Sequence, residues 1–288
     1  FIDAAHDDQF DLIPDFSGQT QGFITLKNPI LEEAVRMRPT LLPGLLEALR
    51  HNLNHGVRDV RLFESGRVFA EAAAGELPIE REAVAFIATG GAAEADRAQA
   101  LREIDFYDLK GALEAAVTDM NLASLRFAKS QARHLRQGQA ADIVLHDGTA
   151  VGSLGRLADS VADSYKFRQP VYVGELDLTK LLAAAVQVVQ YKPLPRFPSV
   201  VRDVTILLDR HVPLEELLRA VAAEKVEDCR DASLVGTYEG SNIPEGKRTV
   251  TLRIEYRSDE RTLRDEEVEE RQRRLIDTLL QKYSAQLH

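Results

Sequence analysis

The sequence predicts an α+β protein with two domains. Its 288 residues are enough for two domains of ordinary size, each with a core of its own. Three prolines lie within residues 193–198, where they remove backbone donors and favour an extended linker. On both sides of this linker, strand-like segments outnumber helical ones, which favours antiparallel sheets with helices packed on them. We therefore expect domains at 1–190 and 196–288.

In the first domain, a helix is expected from Thr40, which can cap it, to about Asn54, with Pro43 in its first turn. Leucines at helical spacing give this helix a broad apolar face, formed by Leu41, Leu42, Leu45, Leu46, Leu49 and Leu53. Strands are expected at 59–64, 67–71, 83–89, 141–146, 151–157 and 171–178, with a helix near 107–119 between them. Ser65 and Gly66 are expected to form a tight turn between the first two strands.

In the second domain, a strand at 203–208 precedes a helix at 214–221, and strands at 233–238 and 249–256 are joined by a connector rich in turn formers. A long helix then begins at Thr262, and residues 285–288 can supply a last short strand. This order is the ferredoxin-like split βαβ arrangement. Along strand 249–256 the side chains alternate, so that Val250, Leu252, Ile254 and Tyr256 share one face and Thr249, Thr251, Arg253 and Glu255 share the other.

The charge and composition exclude two classes of protein. The formal net charge is -10, so the chain does not have the bulk electrostatics of a free-standing nucleic-acid-binding protein, and any RNA contact must come from local geometry. No apolar run approaches the roughly 18 residues that span a bilayer, which excludes an integral membrane protein. The single cysteine, Cys229, allows no internal disulfide, which fits a reducing cytoplasm. Because the first residue is Phe1 and not Met, we expect the chain to be part of a longer one.

Residue types that carry catalysis or bind metals occur only in weak patterns. His51 and His55 have a spacing that can bind a metal, but no third ligand is evident, and solvated or partner-facing histidines are the better interpretation. An acidic cluster near the start of the chain lacks the glycine-punctuated loop of a cation site, so we expect a solvated turn. The cluster consists of Asp3, His6, Asp7 and Asp8.

Two further features have structural explanations. Gly152 and Gly155 do not form a phosphate-binding glycine motif, and close backbone packing is expected there. Carboxylates beside Cys229 disfavour a thiolate, so a reactive role is not expected. The residues therefore predict no catalytic residue and no metal site, and they indicate a binding and assembly module.

Long, ordered motifs nevertheless connect the chain to a known family. One of them reads Met-Arg-Pro-Thr-Leu-Leu-Pro-Gly-Leu-Leu, at 37–46. The others lie at 28–33, 52–54, 60–69, 197–204, 238–240, 243–247 and 261–268. In this order the motifs are similar to those of the C-terminal third of the bacterial phenylalanine–tRNA ligase β subunit, and they cover almost the whole chain.

The resemblance implies that the chain is part of an α2β2 heterotetramer, with the tRNA ligase α subunit and tRNA(Phe) as partners and no membrane. Such an enzyme joins phenylalanine to tRNA(Phe) with ATP and Mg²⁺ in the cytoplasm, and its active site is on the α subunit. Residues 1–190 would form a degenerate class II synthetase-like antiparallel sheet domain, and 196–288 a ferredoxin-like anticodon-binding domain. The editing site and the N-terminal tRNA-binding domain of the β subunit would lie upstream.

The resemblance also implies a first domain without catalysis. A working class II site needs an arginine on the ATP phosphate in its second motif and a glycine-rich third motif that ends in arginine. Residues 60–69 have the strand–turn–strand pattern of the second motif, but no such third motif follows 107–121, so no cofactor is expected in this fragment. The leucine face of helix 40–54 is then interpreted as a subunit surface, the alternative being a helix buried within its own domain. The residues of this surface are Leu42, Leu45, Leu46, Leu49 and Leu53.

In the second domain, the resemblance implies that anticodon bases stack on an open sheet face. Tyr238 occupies the position of the family's stacking aromatic, Thr249 keeps a hydroxyl donor, and Thr205 and Arg253 are expected on the same face. The alternative for Tyr238 is core packing beneath the sheet. Gly236 departs from a family Asp that would read one base by hydrogen bonding.

The sequence leaves two possible functions for the chain. The first is a noncatalytic structural and tRNA-binding part of phenylalanine–tRNA ligase, which the order of the motifs and Tyr238 favour. The second is a stand-alone protein-interaction module that kept the fold but lost tRNA binding, which the negative charge favours.

Overall fold

The computed structural model describes residues 10, 23–30, 35–73, 75–92, 102–122, 125–184, 191 and 193–288. The chain divides into two compact units, Phe1–Val189 and Gln190–His288. The acidic cluster of Asp3, His6, Asp7 and Asp8 lies outside the described residues. Among the helices of the described ranges, none combines the length and the apolar character needed to cross a membrane.

The first unit is built on a six-stranded sheet with helices on both faces. Its elements are α1 (Leu42–Asn54), β1 (Val60–Ala70), β2 (Ile79–Thr89), α2 (Phe106–Asp119), β3 (Arg126–Lys129), β4 (Leu135–Val144), β5 (Ala150–Leu157), α3 (Asp159–Ser164), β6 (Val171–Asp177) and α4 (Leu178–Ala183). The strands lie in the order β1-β2-β6-β5-β4-β3, and every neighbouring pair is antiparallel. Helices α1 and α3 pack on one face, and α2 and α4 pack on the other. The expected α+β class with an antiparallel sheet is confirmed.

Strand β1 is longer than expected, because Ser65 and Gly66 continue it. Both residues pair across to β2 in an unbroken ladder that spans the whole of β1. The prediction of a tight turn at Ser65-Gly66 is therefore wrong. Glycine serves a different purpose there, since a Cβ atom on Gly66 would lie 2.4 Å from Nη2 of Arg38. Strands β1 and β2 pair along their whole length, from Val60 with Thr89 to Ala70 with Ile79, as one long hairpin.

The leucine face of α1 is buried in the core of its own unit. Leu42, Leu45, Leu46 and Leu49 are at most 4% exposed, and Leu53 packs against the same cluster while partly buried. These leucines cover apolar side chains of the sheet, which are Val60, Val68, Ala83, Ala85, Ile87 and Val173. A sheet face this apolar requires a cover, and α1 provides it. The interpretation as a subunit surface is therefore wrong for the four buried leucines, and the alternative of a helix buried within its own domain is correct.

The second unit has the strand order expected from its sequence. Its elements are β7 (Val200–Asp209), α5 (Leu214–Ala223), β8 (Cys229–Tyr238), β9 (Lys247–Tyr256), α6 (Asp265–Tyr283) and β10 (Gln286–Leu287). The sheet order is β10-β7-β9-β8, with every neighbouring pair antiparallel. This is the ferredoxin-like split βαβ arrangement, and β10 is the predicted last short strand. Helices α5 and α6 pack on one face of this sheet.

Helix α6 begins later than the sequence pattern indicated, after Arg264 and not at Thr262. The carboxylate of Glu267 accepts a hydrogen bond from the backbone N–H of Arg264 at 3.0 Å, and so caps the helix from inside its first turn. Arg261 donates two hydrogen bonds to the same carboxylate, at 2.6 and 2.8 Å. These bonds lower the pKa of Glu267 to about 2. The acid therefore stays ionised at the positive end of the helix dipole, which stabilises the helix start.

Candidate nucleic-acid interface

The sheet of the second unit carries all four residues predicted to bind the anticodon on one face. Tyr238 lies directly opposite Thr249, and Thr205 lies opposite Thr251, which is two residues from Arg253 along β9. Residues paired in this way point to the same side of a sheet, and side chains alternate along each strand. The residues that alternate with these along β9 are buried beneath α5 and α6. The four predicted residues therefore share the opposite surface, which we call the open face.

Tyr238 is exposed at the end of β8. Tyr238 is 54% exposed, so the alternative, in which it packs in the core beneath the sheet, is wrong. The phenol lies against the hairpin connector, where a Cβ atom on Gly240 would come within 2.1 Å of the phenolic oxygen. Gly240 thus leaves room for the ring. An exposed, supported aromatic ring on an open sheet face is the feature on which an unpaired base stacks.

The threonine hydroxyls of the open face are engaged within the sheet. Thr249 is 5% exposed, and its hydroxyl donates to the carbonyl oxygen of Tyr238 across a long 3.4 Å contact. The hydroxyls of Thr205 and Thr251 share a hydrogen bond of 2.8 Å. Thr249 therefore supports the strand end that carries Tyr238, and its hydroxyl is less accessible to a base than the sequence suggested.

Arg253 is paired with a carboxylate on the open face. Its Nε and Nη2 donate to the two oxygens of Asp203 at 2.8 and 2.7 Å, a bidentate pair in which both side chains are about half exposed. The hydrogen bond from Arg253 lowers the pKa of Asp203. Asp203 balances the charge of Arg253. Arg253 therefore offers a ligand mainly the planar surface of its guanidinium group, and not an uncompensated positive charge.

Sequence reasoning missed two exposed apolar residues on β8. The register of β8 shifts between Leu234 and Gly236, and both Leu234 and Val235 are exposed, at 41% and 49%. A Cβ atom on Gly236 would meet no atom within 4 Å, so the open face has an empty position next to Tyr238, whereas Leu234 pairs with the buried Leu252 and lies toward the helix-covered side. The consecutive Leu-Val pair before a glycine is the signal that could have indicated the bulge.

The weak motifs of the sequence have structural explanations. The rings of His51 and His55 lie 4.2 Å apart, and Nδ1 of His55 is 2.8 Å from the carbonyl oxygen of His51. Within the described ranges, no group of three His, Cys, Asp or Glu residues is placed to hold a metal ion. A Cβ atom on Gly152 would lie 2.1 Å from a backbone oxygen and one on Gly155 would lie 2.7 Å from a backbone Cα, which agrees with close strand packing. Burial and Asp231 raise the pKa of Cys229, against a thiolate role.

Glu175 is a buried carboxylate that the sequence analysis did not single out. It lies in β6, all seven residues of which are buried. Its two oxygens accept hydrogen bonds from the Thr40 hydroxyl at 2.5 Å and from the Leu41 N–H at 2.7 Å. Burial raises the pKa of Glu175 to about 7, against the effect of these two donors. These hydrogen bonds therefore link the start of α1 to β6, in the centre of the sheet.

An apolar cavity of about 640 Å³ lies on the α2 side of the first unit's sheet. The ring of Phe86 forms part of its floor, and it lies over Gly174, where a Cβ atom would come within 2.5 Å of the ring. Among the described residues that line the cavity, two are charged, Arg61 and Asp108. Asp108 is bound by both Nη atoms of Arg102, which lowers its pKa to about 2. The walls are therefore apolar, and the charge of Asp108 is already compensated.

Comparisons with protein families give a consistent result for both units. A model described as the phenylalanyl tRNA synthetase beta chain CLM domain matches residues 1–178. A model described as the ferredoxin-fold anticodon binding domain matches residues 195–288.

Individual relatives agree with these matches. The chain is 33% identical over 271 residues to the phenylalanine–tRNA ligase beta subunit of Geobacter sulfurreducens, which covers 91% of this chain and 33% of that protein. It is 35% identical over 260 residues to that of Geobacter metallireducens, covering 90% of this chain and 32% of that protein. The chain thus spans about a third of the length of these relatives. A solved pyrrolysyl tRNA synthetase from Desulfitobacterium hafniense is 14% identical with a TM-score of 0.45, over 63% of this chain and 58% of that chain, a likeness too weak to support a conclusion.

Proposed function

Because this chain belongs to the phenylalanyl-tRNA synthetase β-chain family, we propose that it is a noncatalytic part of a phenylalanine–tRNA ligase β subunit. In this role it supports the ATP-dependent attachment of phenylalanine to tRNA(Phe) in the cytoplasm. Its first unit assembles with the α subunit of an α2β2 heterotetramer, which performs the reaction. Its second unit holds the anticodon stem-loop on the open face.

The exposed ring of Tyr238 is the observation that carries this proposal. It stands on the open face of a ferredoxin-like sheet, within the residues that the anticodon-binding family model matches. Stacking accounts for RNA binding by an acidic chain, because it depends on the π-face of a base and not on bulk charge. The guanidinium of Arg253 extends the surface available to neighbouring bases.

Within the part of the first unit that the structure describes, the residues do not offer a fitting site for ATP with Mg²⁺. A triphosphate needs several cationic donors, and the metal needs oxygen ligands. The cavity on the α2 side has apolar walls, and the carboxylate of Asp108 is held by Arg102. No described group of three His, Cys, Asp or Glu residues is placed to bind a metal. These residues do not fit the nucleotide, which supports a noncatalytic role and a reaction located on the α subunit.

Substitution of Tyr238 tests the proposed function. We expect Tyr238→Ala to weaken binding of the tRNA(Phe) anticodon stem-loop by roughly 5- to 150-fold, since a stacked base contributes about 1–3 kcal/mol. Tyr238→Phe keeps the ring and should bind nearly as well as the unaltered chain. The measurement is a titration of the labelled stem-loop at one fixed salt concentration, because salt changes RNA affinity.

Equal affinity of the alanine and phenylalanine variants would show that the ring of Tyr238 is not part of the binding surface. Absence of stem-loop binding by the unaltered chain, alone and together with the α subunit, would favour the second candidate. In that case the chain would be a protein-interaction module that kept the fold without tRNA binding, as its negative charge allows.

A further inference from the structure

We propose that the cavity of the first unit binds a small amphiphile with an apolar body and one anionic end. The volume of about 640 Å³ is in the range of sites for small organic ligands. This binding activity is separate from the RNA-binding role of the second unit, and it does not depend on that role.

The shape of the cavity follows from small residues at two places. On β6, Gly174 lets the ring of Phe86 lie over the strand, which provides an aromatic floor. On α2, Ala112 and Ala116 line the cavity one turn apart on the same side of the helix, and both are exposed. Larger residues at these positions would fill the space. The sequence therefore leaves an opening between the sheet and the helix.

Among the described residues that line the cavity, Arg61 is a positive charge without an ion-pair partner. Nη2 of Arg61 donates to the carbonyl oxygens of Gly91 and Ala92, at 2.7 and 3.1 Å, and these bonds hold the side chain at the rim. Among the described residues, no carboxylate forms an ion pair with Arg61, whereas Asp108 is neutralised by Arg102. Its Nε and Nη1 remain as donors. A carboxylate is the ligand group that complements a fixed guanidinium of this kind.

The remaining wall selects an apolar body. It is formed by Val84, Leu109, Leu113, Met120, Leu178 and Leu181. A ligand with a second polar group would bury that group without a partner, which is unfavourable. Phe63 is 79% exposed. Its ring lies on the same face of β1 as Arg61 and extends the apolar surface toward solvent.

Decanoate is a suitable probe, with decanol as the uncharged comparison of the same chain length. We expect decanoate to bind the 288-residue chain with one site in isothermal titration, and decanol to bind at least about threefold more weakly. Arg61→Gln should reduce decanoate affinity by about three- to tenfold and leave decanol affinity unchanged. Arg67→Gln removes a charge from the same strand outside the cavity, and it should leave both affinities unchanged.

A second pair of variants tests the location. Ala112→Phe should fill the cavity and remove decanoate binding, whereas Thr118→Phe, at an exposed position on the opposite side of α2, should not. Thermal unfolding of all four variants establishes that they are folded. Equal effects of the two phenylalanine variants, or of the two glutamine variants, would overturn the proposal. Displacement of bound decanoate by the α subunit would also overturn it, because the cavity would then be a surface for protein contact.

Discussion

At the scale of single residues, Glu175 shows how one side chain can link two elements at an energetic cost. The Thr40 hydroxyl and the Leu41 N–H both donate to it, which favours the ionised form. Burial opposes ionisation and prevails, since the pKa rises from its ordinary value of 4.5 to about 7. Arg38 lowers this pKa and Glu64 raises it, and the two form an ion pair at 2.6 Å, so their effects partly cancel. The carboxyl group therefore holds its proton at pH values where the unfolded chain has lost it.

This raised pKa predicts a pH-dependent stability. Below pH 4.5 the acid is protonated in both states, and its stabilising contribution is fully present. As the pH rises to about 7, the unfolded state ionises first, so the free energy of unfolding should fall by up to about 3 kcal/mol from this group. Glu175→Gln keeps the shape and the Leu41 hydrogen bond but does not titrate. In urea unfolding, the free energy of unfolding of Glu175→Gln, measured relative to that of the unaltered chain, should therefore be higher at pH 8 than at pH 5.

Other carboxyl groups titrate equally in both chains and cancel in this comparison. A stability difference between Glu175→Gln and the unaltered chain that stays constant from pH 5 to pH 8 would show that Glu175 is ionised throughout. Glu175→Asp provides a control, since it titrates but shortens the side chain and weakens the contact to α1.

At the scale of elements, α1 shows what a helical apolar pattern can and cannot predict. The spacing of its leucines predicted the helix and its apolar face correctly, because the 3.6-residue period is a local property. It could not identify what covers that face, because most of the covering side chains come from β2 and β6, which lie far along the chain and meet α1 only in the folded sheet. The turn predicted at Ser65-Gly66 failed for the same reason. The glycine there accommodates Arg38, which is 28 positions away in the chain.

Burial of the α1 face predicts that the chain depends on it without any partner. We expect Leu46→Ala to lower the free energy of unfolding of the first unit by about 3 kcal/mol, because Leu46 is fully buried and its removal leaves a cavity. Leu53→Ala, at a partly buried position, should cost about 1 kcal/mol or less. Urea unfolding of the chain alone provides the measurement. If Leu46→Ala were neutral in the isolated chain and costly only with the α subunit, the helix face would be a subunit surface after all.

At the scale of the whole molecule, the strand order of the second unit was predictable and several site details were not. The order of strands and helices along the chain is sufficient to specify a split βαβ sheet, and alternation along β9 identified which residues share the open face. The burial of Thr249, the pairing of Arg253 with Asp203 and the bulge at Leu234 depend on neighbours in other strands. Residue pattern alone does not contain those contacts.

The two units also differ in what their sequences reveal. The cavity of the first unit is not evident from the sequence. The residues that create it are glycines and alanines, whose effect is the space that they leave. In the second unit, the ring of Tyr238 is exposed on the open face of the sheet. We therefore expect the open face of the second unit to read the anticodon loop of tRNA(Phe).

Comparison of two RNA hairpins with one stem and different loops tests this claim most directly. One hairpin has the anticodon loop of tRNA(Phe), and the other has the same loop nucleotides in permuted order, so that total charge is identical. We expect the 288-residue chain to bind the first hairpin at least about tenfold more tightly, and Tyr238→Ala to abolish this preference. Equal affinity for the two hairpins would contradict it, because binding would then depend on the phosphate backbone alone.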